Sequence, residues 1–421
     1  MIGQSARVPC VIAGGGPAGI MLGFLLARAG VAVMVLEKHR DFRRDFRGDT
    51  IHPSTLQVIH ELGLLDAFLA RPHQEVRQLQ GIVGDQKLAL ADFTHLPTVC
   101  GFVAFMPQWE FLDFLAEEGA ALPGFQLLLE ADVTELIEEA GHIVGLRAMG
   151  PEGPIEVRAD LVVGADGRHS TVRERAGLTV RNLGAPIDVL WMRLSKRQDD
   201  PSQTLGRINN GRMLVTLDRG DYWQCAYIIR KDGFAGVQAR GLDAFRADIV
   251  AIAPFLEDRV GELRQWDDIK LLTVAVDRLE RWWRSGLLCI GDSAHAMSPI
   301  GGVGINLAIQ DAVAAANILA APLRAGALRD ADLEAVERRR RLPTRLTQAM
   351  QVTIQERVID RVLRADRPIR APRVLLLFNH LPWLRRIPAR IIGMGFRPEH
   401  IRTPALTRPA PHQVAHQVAQ S

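Results

Sequence analysis

The 421-residue sequence predicts an α/β protein in which a parallel sheet flanked by helices carries an inserted, mainly antiparallel sheet, with helices at the C-terminal end. Three observations predict this. The apolar run Val8 to Ala13 is followed by a glycine cluster, a helical stretch from Pro17 to Ala29 and a second apolar run, Val31 to Leu36, which is the pattern of a β-α-β unit. Two more short apolar runs, Leu161 to Val163 and Leu287 to Ile290, each lead straight into a glycine motif, as buried parallel strands do. The stretch from about Asn182 to Lys270 reads as short strands separated by turn signals.

The elements follow in order. Pro17 suits a first helical turn, where its missing N–H would be unpaired anyway, and Gly30 ends that helix. The unit is Rossmann-like. In the inserted part, Val189 to Leu194, Arg212 to Leu217 and Tyr222 to Ile229 are expected strands, with Asp218-Arg219-Gly220-Asp221 as a hairpin turn, and Gln80 to Leu90 adds strands to the same sheet. Ala308 to Leu323 and Leu328 to Leu363 are expected helices. Pro372 to Arg397 is an apolar, arginine-rich helical cap, and Thr403 to Ser421, with its repeated His-Gln-Val-Ala, reads as a disordered tail. The expected organisation is therefore 1–75, 97–181 and 271–340 for the parallel-sheet domain and 76–96 and 182–270 for the inserted sheet. Residues 341–402 form the helical cap and 403–421 the tail.

Composition narrows the class. Hydrophobic residues make up 48% and charged residues 24%, ordinary for a globular protein. The balance of 51 basic against 48 acidic residues gives +3, too little to argue for a nucleic-acid partner. Arginines cluster late, at Arg338 to Arg341, Arg385, Arg386 and Arg390. A solvated helix face is the favoured reading, ahead of a partner or membrane surface. Cys10, Cys100, Cys225 and Cys289 form no CxxC pair and read as buried free thiols in a reducing compartment, with no metal site. The glycines and Pro17 argue against one membrane-spanning helix over Val8 to Leu36, and no signal peptide is evident. A cytoplasmic monomer or homodimer is expected.

Gly14, Gly16 and Gly19 have dinucleotide-site spacing. The first allows the tight turn, the second the approach of a pyrophosphate, and the third close packing of helix on strand. The helix that starts at Pro17 and Ala18 offers unpaired N–H groups to the phosphates. Glu37 ends the second strand, where an acid binds a ribose hydroxyl and repels a 2′-phosphate, so the adenosine is unphosphorylated there; Lys38 follows it.

Two more segments carry motifs. One is Asp166-Gly167-Arg168-His169-Ser170-Thr171-Val172-Arg173. The other is Gly291-Asp292-Ser293-Ala294-His295-Ala296-Met297-Ser298-Pro299, continued by Gly301-Gly302-Val303-Gly304-Ile305-Asn306. In this order and spacing the three segments resemble the FAD-dependent monooxygenases of the aromatic-hydroxylase (p-hydroxybenzoate hydroxylase-like) family, over the whole chain except its C-terminal tail. The resemblance implies a Rossmann-like FAD-binding domain with a substrate domain inserted. It implies that Arg47 lies beside the FAD pyrophosphate and the nicotinamide cofactor, that Gln108 contacts the flavin, and that Asp166 and Gly167 touch FAD and the pyridine nucleotide. It further implies that Gly291 and Asp292 hold the ribityl chain. Pro299, Gly302, Gly304, Ile305 and Asn306 would carry the chain under the isoalloxazine ring, with the following helix aimed at the N1–O2 edge. Ser170 and Arg173, a helical turn apart, either face this site or belong to a capped helix start. His295 is either an acid or base or a structural histidine. Arg47, Pro299 and His295 are the catalytic candidates.

The activity implied is hydroxylation of an aromatic or polyketide-like small molecule. NADH or NADPH reduces FAD, dioxygen gives a flavin C4a-hydroperoxide, and one oxygen atom passes to the substrate. The alternatives are a quinone-precursor hydroxylase at a membrane surface, a flavin reductase or dehydrogenase on the same fold, and a non-catalytic flavoprotein that binds a small molecule. A halogenase is disfavoured because its tryptophan-rich signature is missing. Trp191, Met213, Trp223 and Cys225 are candidates for an apolar substrate pocket, or else core residues of the sheet. Tyr222 and Tyr227 lie on one expected strand at positions that alternation places on opposite faces.

Overall fold

A computed structural model of the chain describes residues 4–43, 50–201, 205–365, 367 and 373–405. The parallel sheet is ordered around the first strand, Gln4–Ala13. It pairs on one side with Val33–Leu36, which pairs with Phe125–Leu128, and on the other with Gly153–Gly164, which pairs with Leu287–Cys289. These contacts are all parallel. Cys10, Val11, Ile12 and Ala13 are fully buried, as residues covered by helices on both faces must be. The strand Gly153–Gly164 is far longer than Leu161 to Val163 suggests. Its first half pairs antiparallel with His142–Gly150, a strand not anticipated from the sequence.

Register decides where the loops fall. Ala13 lies opposite Gly164, and Gly164 opposite Cys289. Three neighbouring strands therefore end at one level, and Gly14, Asp166 and Gly291 leave from the same carboxyl edge of the sheet. That edge is where ligands of open α/β sheets bind. Helix α1 (Pro17–Arg28) starts there and packs over the sheet.

The second sheet is seven-stranded. Its order is Lys270–Leu272, Ile187–Ser195, Tyr222–Arg230, Arg212–Asp218, Leu205–Asn209, Gln78–Val83 and Gln86–Asp92. Neighbours are antiparallel except Leu205–Asn209 with Gln78–Val83. The strand Leu205–Asn209 was not foreseen, since Gly206 and the polar residues around it hide its pattern. Alternation gives this sheet two faces. Leu190, Met192, Leu194, Leu214, Trp223, Cys225, Tyr227 and Ile229 face outward and pack with Phe245 and Ile249 of α2 (Leu242–Ile252). Val189, Trp191, Met213, Val215, Ala226 and Ile228 face inward, toward Ile300, Ile354 and Ile359.

Helix α3 (Val303–Arg324) packs between α1 and α4 (Asp330–Ile354). The segment Ile300–Arg324 is long and apolar enough to cross a membrane, but 83% of its apolar window is buried inside the protein, so here it is a core helix. α4 passes into a π-helical turn, Gln355–Ile359, and a last helical turn, Asp360–Leu363. Helix α5 (Arg386–Met394) lies against α-helical Pro53–Glu61 and strand Gln86–Asp92.

The chain beyond α5 returns to the parallel-sheet domain. Glu61 accepts from His400 Nδ1 at 2.6 Å and Ile401 N at 2.8 Å, and the Thr403 carbonyl accepts from Arg28 at 3.3 Å. The expected tail from Thr403 is thus held at its first residue; 406–421 lie outside the described residues. The arginine run at 338–341 is divided rather than one solvated face. Arg338 is exposed beside Glu334, whereas Arg340 is 1% exposed and ion-paired to Asp311 at 2.8 Å. All four cysteines are free and buried. Burial pushes each thiol up, that of Cys225 to about 12.

Candidate active site

The first loop is fixed by close approach. Gly14 has φ +102°, and a Cβ there would collide with the Ala165 carbonyl; one at Gly19 would collide with the Gly14 carbonyl. Gly16 differs: the nearest atom to a Cβ there is the Ala165 oxygen at 4.0 Å. The backbone at Gly16 is therefore open to a ligand. Gly16 is the N-cap of α1, Pro17 its first residue, and no side chain caps it. Such an end leaves N–H groups for an anion. Glu37 closes the loop, accepting from Gly15 N at 2.9 Å and His39 N at 3.1 Å. Ala18 is buried against Gly291, and Lys38 is exposed.

The second loop is braced from within. Asp166 accepts from Ser170 Oγ at 2.5 Å and Val172 N at 3.0 Å. Burial nevertheless pushes its carboxyl up, against the pull of those hydrogen bonds. Ser170 caps the helical turn Thr171–Arg175 by accepting from Arg173 N at 2.9 Å. Arg173 reaches the carbonyls of Arg168 at 2.6 Å and Ser293 at 3.3 Å and lies 3.6 Å from Asp277. Ser170 and Arg173 thus tie this loop to the third one. At Gly167, with φ +86°, a Cβ would meet nothing within 4 Å, a second open place at the edge.

The third loop rests on a buried charge cluster. Gly291, with φ +61°, sits on Ala18 and Ala308. Its N–H donates to Asp311 Oδ2 at 3.1 Å. His295 Nε2 meets the same oxygen at 2.5 Å, and Arg340 Nε meets Oδ1 at 2.8 Å. Burial opposes the Asp311 carboxylate, but His295 and Arg340 outweigh it and hold its pKa below the usual range. Arg340 also meets Glu399, which forms two bonds with Arg339, at 2.6 and 2.9 Å. His295 is 1% exposed, its ring 5.0 Å from that of Trp282. Of the two readings of His295 this favours the structural one: it stands behind the turn, in the interior. Asp292 is half-buried on the turn Gly291–Ser293.

The chain then crosses the site. Pro299 is half-buried before the turn Ile300–Gly302, where Gly301 and Gly302 have φ +76° and +61°. A Cβ on Gly302 would collide with Thr50 Oγ, which donates to the Gly302 carbonyl at 3.0 Å. Gly302 is the N-cap of α3, again with no side-chain cap. Gly304 and Ile305 are in its first turn. Asn306 is 5% exposed. Its oxygen accepts from His52 N and Thr55 Oγ, both at 2.8 Å, and its amide donates to the carbonyls of Thr50 at 2.9 Å and Gly302 at 3.1 Å. Its hydrogen-bonding capacity is filled inside the protein, so it locks the loop. His52 is buried and donates from Nδ1 to the Ile392 carbonyl at 2.8 Å. Burial lowers its pKa to about 4, against two backbone hydrogen bonds.

The remaining candidates divide. Gln108 is the first residue of helix Gln108–Ala120, just after strand Val103–Phe105, which pairs with Thr50–Ile51 and so borders the same loop. Arg47 lies outside the described residues. Trp191 and Met213 are on the inner face of the seven-stranded sheet, in one cluster with Ile300. Trp223 and Cys225 are on the outer face and fully buried against α2, which is the core reading rather than the pocket reading for these two. Trp223 Nε1 donates to Asp200 at 2.7 Å, and Asp200 is gripped by Arg259. Tyr227 packs outward on Phe245. Tyr222 lies under the Arg193 guanidinium, 3.6 Å from its ring. The residues missed from the sequence are those that act at a distance: Thr50, His52, Asp311, Arg340, Glu399, and the glutamines of α4. Only the acid after Ala308-Ile309-Gln310 in an otherwise apolar helix signalled that something buried needed a charge.

The open backbone at Gly16 and Gly167 and the two uncapped helix starts along one edge fit a dinucleotide with its phosphates at α1 and its ring end at α3. The FAD-binding-domain family matches residues 7–350. The 6-methylpretetramide 4-monooxygenase of Streptomyces rimosus is 35% identical over 390 residues, 92% of this chain and 93% of that protein. The structure of the OxyS anhydrotetracycline hydroxylase from Streptomyces rimosus is similar, with a TM-score of 0.71 and 25% identity over 92% of this chain and 76% of the other. PqsL of Pseudomonas aeruginosa, solved with 2-aminobenzoylacetate, shares the fold, with a TM-score of 0.72 and 22% identity over 85% of this chain and 97% of the other. The chain belongs to the family of FAD-dependent aromatic hydroxylases, flavoprotein monooxygenases built on this FAD-binding domain.

Proposed function

We propose that this protein uses NADH or NADPH and dioxygen to hydroxylate a fused-ring aromatic, polyketide-like small molecule. The observation that carries the reading is the 35% identity, over nearly the full length of both chains, to a 6-methylpretetramide 4-monooxygenase. Bound and reduced, the flavin supplies the oxygen-activating chemistry.

The chain's own residues bind and orient. The amides around Gly16 and the start of α1 would hold the pyrophosphate, and Glu37 the adenosine ribose. Asp292 takes ribityl hydroxyls. Pro299 to Gly302 would carry the chain past the ring, and the positive end of α3 would favour negative charge on it. The substrate lies between that loop and the inner face of the seven-stranded sheet, against Trp191, Met213 and Val215. An apolar wall there suits a flat, hydrophobic polycycle and excludes water from the reacting centre. Arg47 serves the phosphates of FAD or of the incoming nicotinamide nucleotide. The domain division given above fits this arrangement, with the inserted sheet covering the flavin face.

The test is a substrate screen by the purified yellow protein against phenols, quinones and polyketide polycycles. The expected result is NAD(P)H oxidation that rises with one compound class, with oxygen uptake and a product heavier by one oxygen. Reduction independent of any substrate, with no oxygenated product, would favour a reductase.

A further inference from the structure

The segment Ala296 to Pro299 crosses the site outside any sheet or helix, yet Ala296, Met297 and Ser298 are buried. Buried backbone groups need partners, and here three glutamine side chains supply them. Gln348, Gln351 and Gln355 are each fully buried. Spaced three and four apart, they lie on one face of α4 and the turn after it. Gln348 Nε2 donates to the carbonyls of Asp277 at 2.6 Å and Ala296 at 3.1 Å. Gln351 Nε2 donates to the carbonyls of Ser298 at 2.9 Å and Ile300 at 3.0 Å, while its Oε1 accepts from Ser298 N at 3.2 Å. Gln355 Nε2 donates to Ser298 Oγ at 2.5 Å, and that oxygen accepts from Ile300 N at 3.3 Å. The helix widens to a π-turn at Gln355, a distortion that often marks functional sites.

Three buried amides on one face of a helix are costly; all three amide nitrogens are used, while Gln355 Oε1 has no partner among the described residues, and apolar side chains would pack at least as well. Apart from Arg278, which donates to Gln348 Oε1 at 3.3 Å, their partners lie in the segment that leads to Gly301 and Gly302, two residues held at positive φ, or at its edge in Asp277. We propose that the glutamine ladder, with Gln351 at its centre, consists of positioning residues. It sets the height and tilt of the Ser298–Gly302 backbone and thereby the relative affinity for oxidised and reduced flavin. The inference rests on the placement of the flavin ring over this loop.

The experiment uses the full-length holoprotein and its Gln351→Leu and Gln351→Glu variants, with Thr353→Ala, on the exposed side of the same helix, as control. Gln351→Leu removes all three hydrogen bonds at similar volume. Gln351→Glu keeps an acceptor for Ser298 N but loses the donor to two carbonyls. Measured are FAD affinity after deflavination, the flavin absorption bands, and the two-electron midpoint potential. Both variants are expected to bind FAD about tenfold more weakly, with shifted bands. Tenfold weaker preference for the reduced form lowers the potential by about 30 mV. Thr353→Ala is expected to match the wild type in all three. Should the Gln351 variants fail to fold, Ser298→Ala removes the hydroxyl shared by Gln355 and Ile300 and is expected to shift bands and potential the same way by less. Variants with wild-type affinity, bands and potential but a lower melting temperature would overturn the inference and leave the ladder a stability feature. Wild-type protein that takes up no FAD would overturn the cofactor placement, and this inference with it.

Discussion

The two glycine-rich loops at the sheet edge are built in opposite ways. Gly14 to Gly19 is held by its own neighbours, since strand, turn and helix approach so closely that a Cβ at Gly14 or Gly19 would collide with backbone. The loop from Pro299 to Gly302 is held by side chains: Thr50 and Gln351, far away in sequence, and Asn306 in the following helix bond to it directly. The phosphate end of a dinucleotide is the same in every such protein, so a rigid local turn serves. The ring end is where reactivity is tuned, and a loop gripped from outside can be tuned without rebuilding it.

The comparison predicts a graded response to substitution. The largest effect is expected for Gly19→Val, which forces apart helix and strand. More than about 4 kcal/mol of destabilisation follows from such a clash, and purified protein should carry no flavin. A stable, flavin-loaded Gly19→Val protein would break the account of the first loop. Next comes Asp311→Asn, which leaves Arg340 buried beside a neutral partner. Removing one member of a buried pair costs about 3–5 kcal/mol, measurable by urea unfolding, and the Gly291 turn should loosen with it.

His52 sharpens the comparison through pH. Its folded pKa of about 4 lies below the ordinary value near 6.5. The unfolded chain therefore binds the proton first. Stability from the neutral, buried ring is complete above about pH 6.5 and is lost as pH falls toward 4, by about 3 kcal/mol. His52→Gln should flatten the unfolding free energy across that window. An unchanged slope would mean that another group titrates there. Asn306→Ala should cost about 1–3 kcal/mol by leaving His52 N and the Thr50 carbonyl without their partner. FAD should also bind more weakly. The smallest effects separate the two faces of the seven-stranded sheet. Met213→Ala should raise KM for the substrate several-fold, by about 1 kcal/mol of lost contact, with little change in melting temperature. Cys225→Ser should do the reverse.

What was legible in the sequence follows the same division. The β-α-β unit and all three motifs could be read because their physics is local: a run of buried residues, a glycine where the backbone must turn or touch. The register that brings Gly14, Asp166 and Gly291 to one edge could be anticipated once each motif was seen to follow a strand. The supports of the third loop could not. Gln348, Gln351 and Gln355 read as ordinary polar positions of a charged helix, and Arg340 as one of four similar arginines, because the groups they serve are tens of residues away. Trp223 and Cys225 stayed open between pocket and core in the sequence for a related reason. Alternation says that they share a face, but only the position of α2 says which face is outside.

The central claim is flavin-dependent transfer of oxygen from dioxygen to an organic substrate, and isotopic labelling tests it most directly. Turnover of an accepted polycyclic substrate under 18O-labelled dioxygen in ordinary water should give a product two mass units heavier than under natural oxygen, with one labelled atom per molecule. An oxidised product with no label, or with label that comes only from 18O-water, would contradict the account.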